Sequence, residues 1–301
     1  MEAKYITYWE YMNKATETQE TLNSIPTASL QTITDTSQGK INNPRNIMGV
    51  IVDGRIVGTV SKRYRLVQHK DAFAPIFNGL HQTATPYEFS LFQTDTKAML
   101  NVFVDEIKEN GSGIKLGFKA INSINGETAI NYAMAANSIT TTLEIVGYRL
   151  VCQNGMKIRV PLDQAEFMKL EKVERVRELI RMATKILHLG TEEAIKQKME
   201  AVQYVTEAIS LLKEPIALMI QKAKNKMVTE QEIKLMVAKY IGKRMSKKII
   251  ERFAMEDQSL WGAYCAVTYI SSHDCTIPTM NGLLNSSAIM LEEELFPKKK
   301  A

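Results

Sequence analysis

Glycine and methionine divide this chain into two unequal grammars. Of its 15 glycines, 11 lie at or before Pro161; of its 16 methionines, 10 lie after it. Glycine punctuates turns, whereas methionine favours helices and fills irregular gaps in cores. A strand-rich first half and a helical second half follow. Charge does not share this division. The total is +5 over 301 residues, and both halves carry a small positive excess. No basic or acidic domain stands apart, and an excess this small serves solubility as well as it serves any partner.

Local signals place the elements. Residues 1–45 read as a polar, irregular lead-in rich in Thr, Ser, Asn and Gln. Asn46–Val52, Asp53-Gly54 and Arg55–Lys62 read as a hairpin, because Asp-Gly suits both positive-φ positions of a type I′ turn. Lys70–Leu80 is a short helix with Pro75 in its first turn. Phe89–Gln93, Met99–Ile107 and Ile114–Ile121 are strands, and Gly111-Ser112-Gly113 is a hairpin loop. Leu143–Gln153 and Met156–Val160 flank Asn154-Gly155 as a second hairpin. A strand-rich core thus covers residues 46–161, with its strands mainly antiparallel.

After it, residues 162–301 read as helices packed on that sheet in one integrated domain. Val173, Val176, Ile180, Ala183 and Leu187 form an apolar stripe at helical spacing. Pro215 is expected to break the next helix or to start another. Thr229, followed by Glu230 and Glu232, caps a helix expected to reach about Met255. Trp261, Tyr264, Cys265 and Thr268 share one face of a further helix, which reads as a core face. The fold class is therefore α+β.

Several functions find no support in the residues. No apolar run approaches the roughly 18–20 residues of a membrane span. The first ten residues are too polar for a signal-peptide core, so an intracellular, cytoplasmic location is expected. Cys152, Cys265 and Cys275 form no CxxC pair, which fits free thiols in a reducing compartment. His273 and Cys275 lack the second close pair that a zinc site needs, so no metal or other cofactor is expected. There is no GxSxG elbow and no glycine-rich phosphate loop. No catalytic residue is assigned, and the chain reads as a non-enzyme.

Three segments carry a resemblance. They are Tyr64–Gln68 with Asp71-Ala72-Phe73; Asn122–Ala129 through Tyr148–Asn154; and Leu260–Tyr269 with His273. In order and spacing they resemble a phage- and plasmid-encoded family known as phage/plasmid-like proteins, over about residues 46–275. The box Arg149–Asn154 is the most specific part. This chain has Ser123-Ile124-Asn125-Gly126 where the family has a serine–histidine–aspartate–glycine loop, so no catalytic role passes to that loop. The resemblance implies a mobile genetic element, where DNA replication and recombination genes are common. The hairpin-then-helix layout is also similar to that of single-strand annealing proteins.

Two basic clusters fit that context. Lys62, Arg63, Tyr64 and Arg65 end the first hairpin. Placed on a strand, Arg63 and Arg65 share a face that meets phosphates, and Tyr64 stacks a base. Arg149, Lys157 and Arg159 join them if the second hairpin pairs nearby. The second cluster is a helix carrying Lys243, Arg244, Lys247, Lys248 and Arg252 around an Ile241, Met245, Ile249, Phe253 stripe. The plain alternative for both is a charged, solvated surface. The expected function is non-enzymatic binding of single-stranded DNA with strand annealing, by a homo-oligomer that does not engage membranes. The other class left open is a structural or interaction protein, such as a virion component or host-targeting factor.

Overall fold

Asp53 and Gly54 both take positive φ, 49° and 74°, and join β2 (Ile47–Val52) to β3 (Arg55–Ser61) as the Asp-Gly signal demands. The computed structural model describes residues 8–33, 47–109, 112–125, 131–133, 142–149, 154–161, 170–187, 193–275 and 277–297. The fold is α+β, with strands in the first half and helices in the second.

Over residues 8–33 the lead-in is not irregular. It contains α1 (Tyr8–Ser24) and β1 (Ala28–Thr32). Thr18, Leu22 and Ile25 are buried at steps of four and three, a helical stripe that one threonine disguises. β1 is polar, yet it pairs antiparallel with β2 from Ala28↔Val52 to Thr32↔Met48. Its other edge is closed at Ala28 by a side chain. The Gln68 amide accepts from the Ala28 N–H at 2.9 Å and donates to the Ala28 carbonyl at 2.8 Å. One glutamine thus stands in for one residue of a neighbouring strand.

The strands form two sheets rather than the single one expected. The first has order β1-β2-β3. The second runs β4 (Glu88–Gln93), β5 (Lys97–Glu109), β6 (Ser112–Ser123), β8 (Thr142–Arg149), β9 (Asn154–Pro161), with β7 (Asn131–Ala133) pairing on β6. Ser112 and Gly113 are strand, not loop. The expected Asn154-Gly155 turn is strand as well. Asn154 pairs with Arg149 and Gly155 with Tyr148, and residues 150–153 lie outside the described residues. The Gly155 N–H donates to Ser272 Oγ at 3.1 Å, a long-range bond that local turn chemistry does not announce.

The chain divides into two compact units. The first comprises Met1–Val102, Lys119–Ala133 and Ala183–Gln203; the second comprises Phe103–Phe118, Met134–Met182 and Tyr204–Ala301. In the first, Ala28, Val50, Val52, Val60 and Ile124 form a buried cluster with Tyr64 and Leu66 against it. The helix α2 (His69–Gln82) buries Phe73, Ile76, Phe77 and Leu80. Pro75 lies in its interior rather than its first turn.

The second unit takes most of the helical half. Of α3 (Leu170–Leu187), Val173, Val176 and Leu179 are buried in it. Pro215 does not interrupt the next helix, α4 (Glu193–Asn225). Pro215 is buried within it, and packing offsets the roughly 3 kcal/mol cost of an interior proline. Thr229 caps α5 (Glu230–Tyr240) with a full capping box to Glu232. The helix ends well short of Met255. Gly242 takes φ 91°, a short 3₁₀ turn covers Lys243–Met245, and α6 (Ser246–Phe253) follows. The last helices are α7 (Leu260–His273) and α8 (Ile277–Leu295).

Trp261, Tyr264, Cys265 and Thr268 are all buried in α7, and the Trp261 and Tyr264 rings stack at 5.1 Å. The Tyr264 hydroxyl accepts from the Lys157 N–H at 3.2 Å and donates to the Lys157 carbonyl at 2.9 Å. It therefore satisfies both backbone groups of one β9 residue. Burial pushes the Tyr264 phenol far above its usual range, so it stays protonated and able to donate. Tyr264→Phe strips both bonds and is expected to cost the second unit about 2 kcal/mol. An unchanged urea midpoint would contradict that assignment.

Candidate nucleic-acid interface

The turn after β3 sets the geometry of the first basic cluster. β3 stops at Ser61, and the Tyr64 N–H donates to the Ser61 carbonyl at 2.9 Å. Lys62 and Arg63 are therefore the two central residues of a β-turn, not strand residues with alternating faces. The expected pairing of Arg63 and Arg65 on one strand face is thereby corrected. Lys62, Arg63 and Arg65 are all exposed. None of the three makes an ion pair among the described residues.

Tyr64 points the other way. It packs on the buried Val50, Val52, Val60 and Ile124 cluster, and its hydroxyl donates to the Ser123 carbonyl at 3.2 Å. It anchors the turn instead of offering an open ring to a base. The loop around Ser123 is equally structural. Ile124 is buried and its N–H donates to the Thr96 carbonyl at 3.0 Å, while Asn122 Nδ2 donates to the Val67 carbonyl at 3.0 Å. Two of the resembling segments thus meet through Tyr64 and Ser123.

Beside Asn122 lies a buried histidine. Asn122 Nδ2 is 3.0 Å from His69 Nδ1, and desolvation pulls the imidazole down to about 4. His69 is neutral at pH 7, with Nδ1 accepting and the proton on Nε2. It contributes no charge to the basic turn.

The remaining cations belong to the second unit, and most have protein partners. Arg149 lies on β8 opposite Asn154. Lys157 Nζ donates to Asn285 Oδ1 at 2.6 Å, and Arg159 Nε is 3.0 Å from Glu292. Both β9 cations therefore engage α8 rather than forming a free strip. In the helical cluster, Lys248 Nζ is 2.8 Å from Asp274, and hydrogen bonding to that carboxylate raises its pKa. Arg252 bonds Glu256 at 2.7 Å and stacks over the Tyr269 ring at 3.9 Å. Lys247 is exposed and lies 3.9 Å from Glu251. Lys243 is exposed in the 3₁₀ turn that follows the break at Gly242, and the Arg244 side chain lies outside the described set. The break at Gly242 takes Lys243 and Arg244 off the helix that carries Lys247, Lys248 and Arg252.

One cation of the first unit escaped the sequence reading. Arg55 is exposed at the other end of β3, beside the Asp53-Gly54 turn. The hairpin motif itself locates it, since position one after such a turn is a strand end facing solvent.

Among the described residues, no group of three or more His, Cys, Asp or Glu is placed to hold a metal ion. No helix among them is long and apolar enough to cross a membrane. Comparison with known proteins places the chain in no group: no protein-family description, curated protein or solved structure matches it.

Proposed function

We propose that the chain is a non-enzymatic nucleic-acid-binding protein of a mobile genetic element, holding single-stranded DNA at the Lys62–Arg65 turn. One observation carries the reading. Lys62, Arg63 and Arg65 are exposed, without ion pairs among the described residues, on a turn fixed to the core by Tyr64. Exposed cations on a turn fixed to the core attract a polyanion without the cost of first ordering the turn. Backbone-only contacts of this kind leave base edges open, which suits strand annealing. Arg159, Lys248 and Arg252 are left out of the site, because carboxylates already match their charges.

The test is anisotropy titration of a labelled oligo-dT over a range of salt. Binding is expected to weaken steeply as salt rises. In Arg63→Ala/Arg65→Ala, affinity at low salt is expected to fall about tenfold or more. The plot of log K against log salt should flatten by about 1.4, at roughly 0.7 for each phosphate no longer neutralised. Unchanged affinity in the double variant would remove the turn from the site. No binding of the unmodified chain at low salt would favour the structural or interaction-protein reading.

A further inference from the structure

We infer that the outer side of β3 is the track along which the single strand lies, with Ile56 as an apolar seat for a base. The inference rests on the reading of the Lys62–Arg65 turn and extends it along the strand that leads there.

β3 is an edge strand of its three-stranded sheet. Exposed along it and its flanking turn are Arg55, Ile56, Thr59, Ser61, Lys62, Arg63 and Arg65. Thr59 and Ser61 share the outer face with Ile56, whereas Arg55, opposite the buried Val52, belongs to the other face; the cations stand at the turn end, and from Asp53 to Arg65 the lone acid is Asp53 in the hairpin turn. The strand from Arg55 to Ser61 is roughly 20 Å long. That suits a short single-strand site, of which the smallest span about four nucleotides.

Ile56 does not point outward by default. Val60 is buried, so plain alternation from it would turn Gly58 and Ile56 inward and Val57 outward. The register breaks that phase. Gly58 lies opposite Val50, but Ile56 lies opposite Ile51, leaving Val57 as the extra residue of a bulge. The bulge turns Ile56 to the outer face, where 62% of it is exposed. A β-branched apolar residue is thus set in water on the face that Thr59 and Ser61 continue toward the cationic turn, by a feature that commonly re-aims side chains near sites of function.

The same bulge selects the occupant. It disrupts the regular ladder an incoming protein strand would need, and the flanking charges repel such pairing further. A polyanion meets no such obstacle. A duplex keeps its base faces stacked inside, so only unpaired bases can lay a face on Ile56.

The experiment compares two labelled probes of equal length, oligo-dT and an abasic strand with the same phosphates. Ile56→Ala in the full chain is expected to weaken oligo-dT binding about fivefold, from the apolar surface removed, and to leave the abasic strand unaffected. Equal binding of both probes by Ile56→Ala and the unmodified chain would overturn the track. The turn reading would survive that outcome if Arg63→Ala/Arg65→Ala still lost affinity for both probes. Failure of the unmodified chain to bind either probe would overturn the reading beneath both. Ile56 lies on the surface, and a matching circular-dichroism spectrum confirms that the variant folds.

Discussion

Gly262→Ala is expected to cost the second unit about 3 kcal/mol or more of stability, the largest single effect anticipated for this chain. Gly262 is buried in the first turn of α7, where the chain from Asp257 to Ser259 folds back over the helix start. The Ser259 hydroxyl accepts from the Gly262 N–H at 3.0 Å and donates to Asp257 Oδ1 at 2.8 Å. The Ser259 N–H donates to the Asp257 carbonyl at 2.8 Å. A Cβ on residue 262 would lie 1.9 Å from that carbonyl oxygen and 2.3 Å from Oδ1. The oxygen belongs to the backbone, so no side-chain rotation relieves the overlap. Alanine's better helix propensity, worth about 1 kcal/mol, acts in the other direction and is overruled. Gly282→Ala is the control. Nothing lies within 4 Å of a Cβ at that exposed position of α8, so this variant should be neutral or slightly more stable. Urea unfolding followed by tryptophan fluorescence compares them, and equal midpoints would defeat the argument.

The second large effect is a loss of stability on acidification. In the unfolded chain His69 titrates near 6.5; in the fold, burial holds it at about 4. Between those values the unfolded chain takes up a proton that the folded one refuses. The stabilising share is therefore whole above about pH 6.5 and is lost progressively as the pH falls towards 4. The full loss is about 3 kcal/mol, from the 1.36 kcal/mol that each pH unit of displacement represents. His69→Gln removes the titrating group while keeping a polar partner for Asn122. Its stability should fall less steeply between pH 6.5 and 4 than that of the unmodified chain. Parallel stability–pH curves for the two proteins would show that His69 does not carry the effect.

What the sequence made legible was chemistry settled within a few residues. Asp53-Gly54 needs no distant partner to turn, and Thr229 finds its capping partner three residues on. The α7 core face was legible because Trp261, Tyr264, Cys265 and Thr268 repeat at helical steps. What escaped was decided across the chain. Asn154-Gly155 carries a turn signal as clear as the first, yet strand pairing and the distant Ser272 hydroxyl make it strand. Pro215 predicts a break that packing overrides. The basic residues misled for the same reason. Nothing near Lys248 in sequence announces Asp274, 26 residues on, and nothing near Arg159 announces Glu292. Ile56 was hidden by one inserted residue, Val57, which reverses the phase that alternation assumes.

The run Leu260–Thr268 is buried without interruption, so α7 has no wet face along nine consecutive residues. Such burial restricts motion. An amphipathic surface helix can peel away and return while the rest of its unit stands. Withdrawing α7 would open the interior it fills on every side, so its opening costs about as much as unfolding the whole unit. Its backbone amides should then be among the last to exchange with solvent. Any rearrangement that the second unit undergoes in use therefore leaves α7 in place.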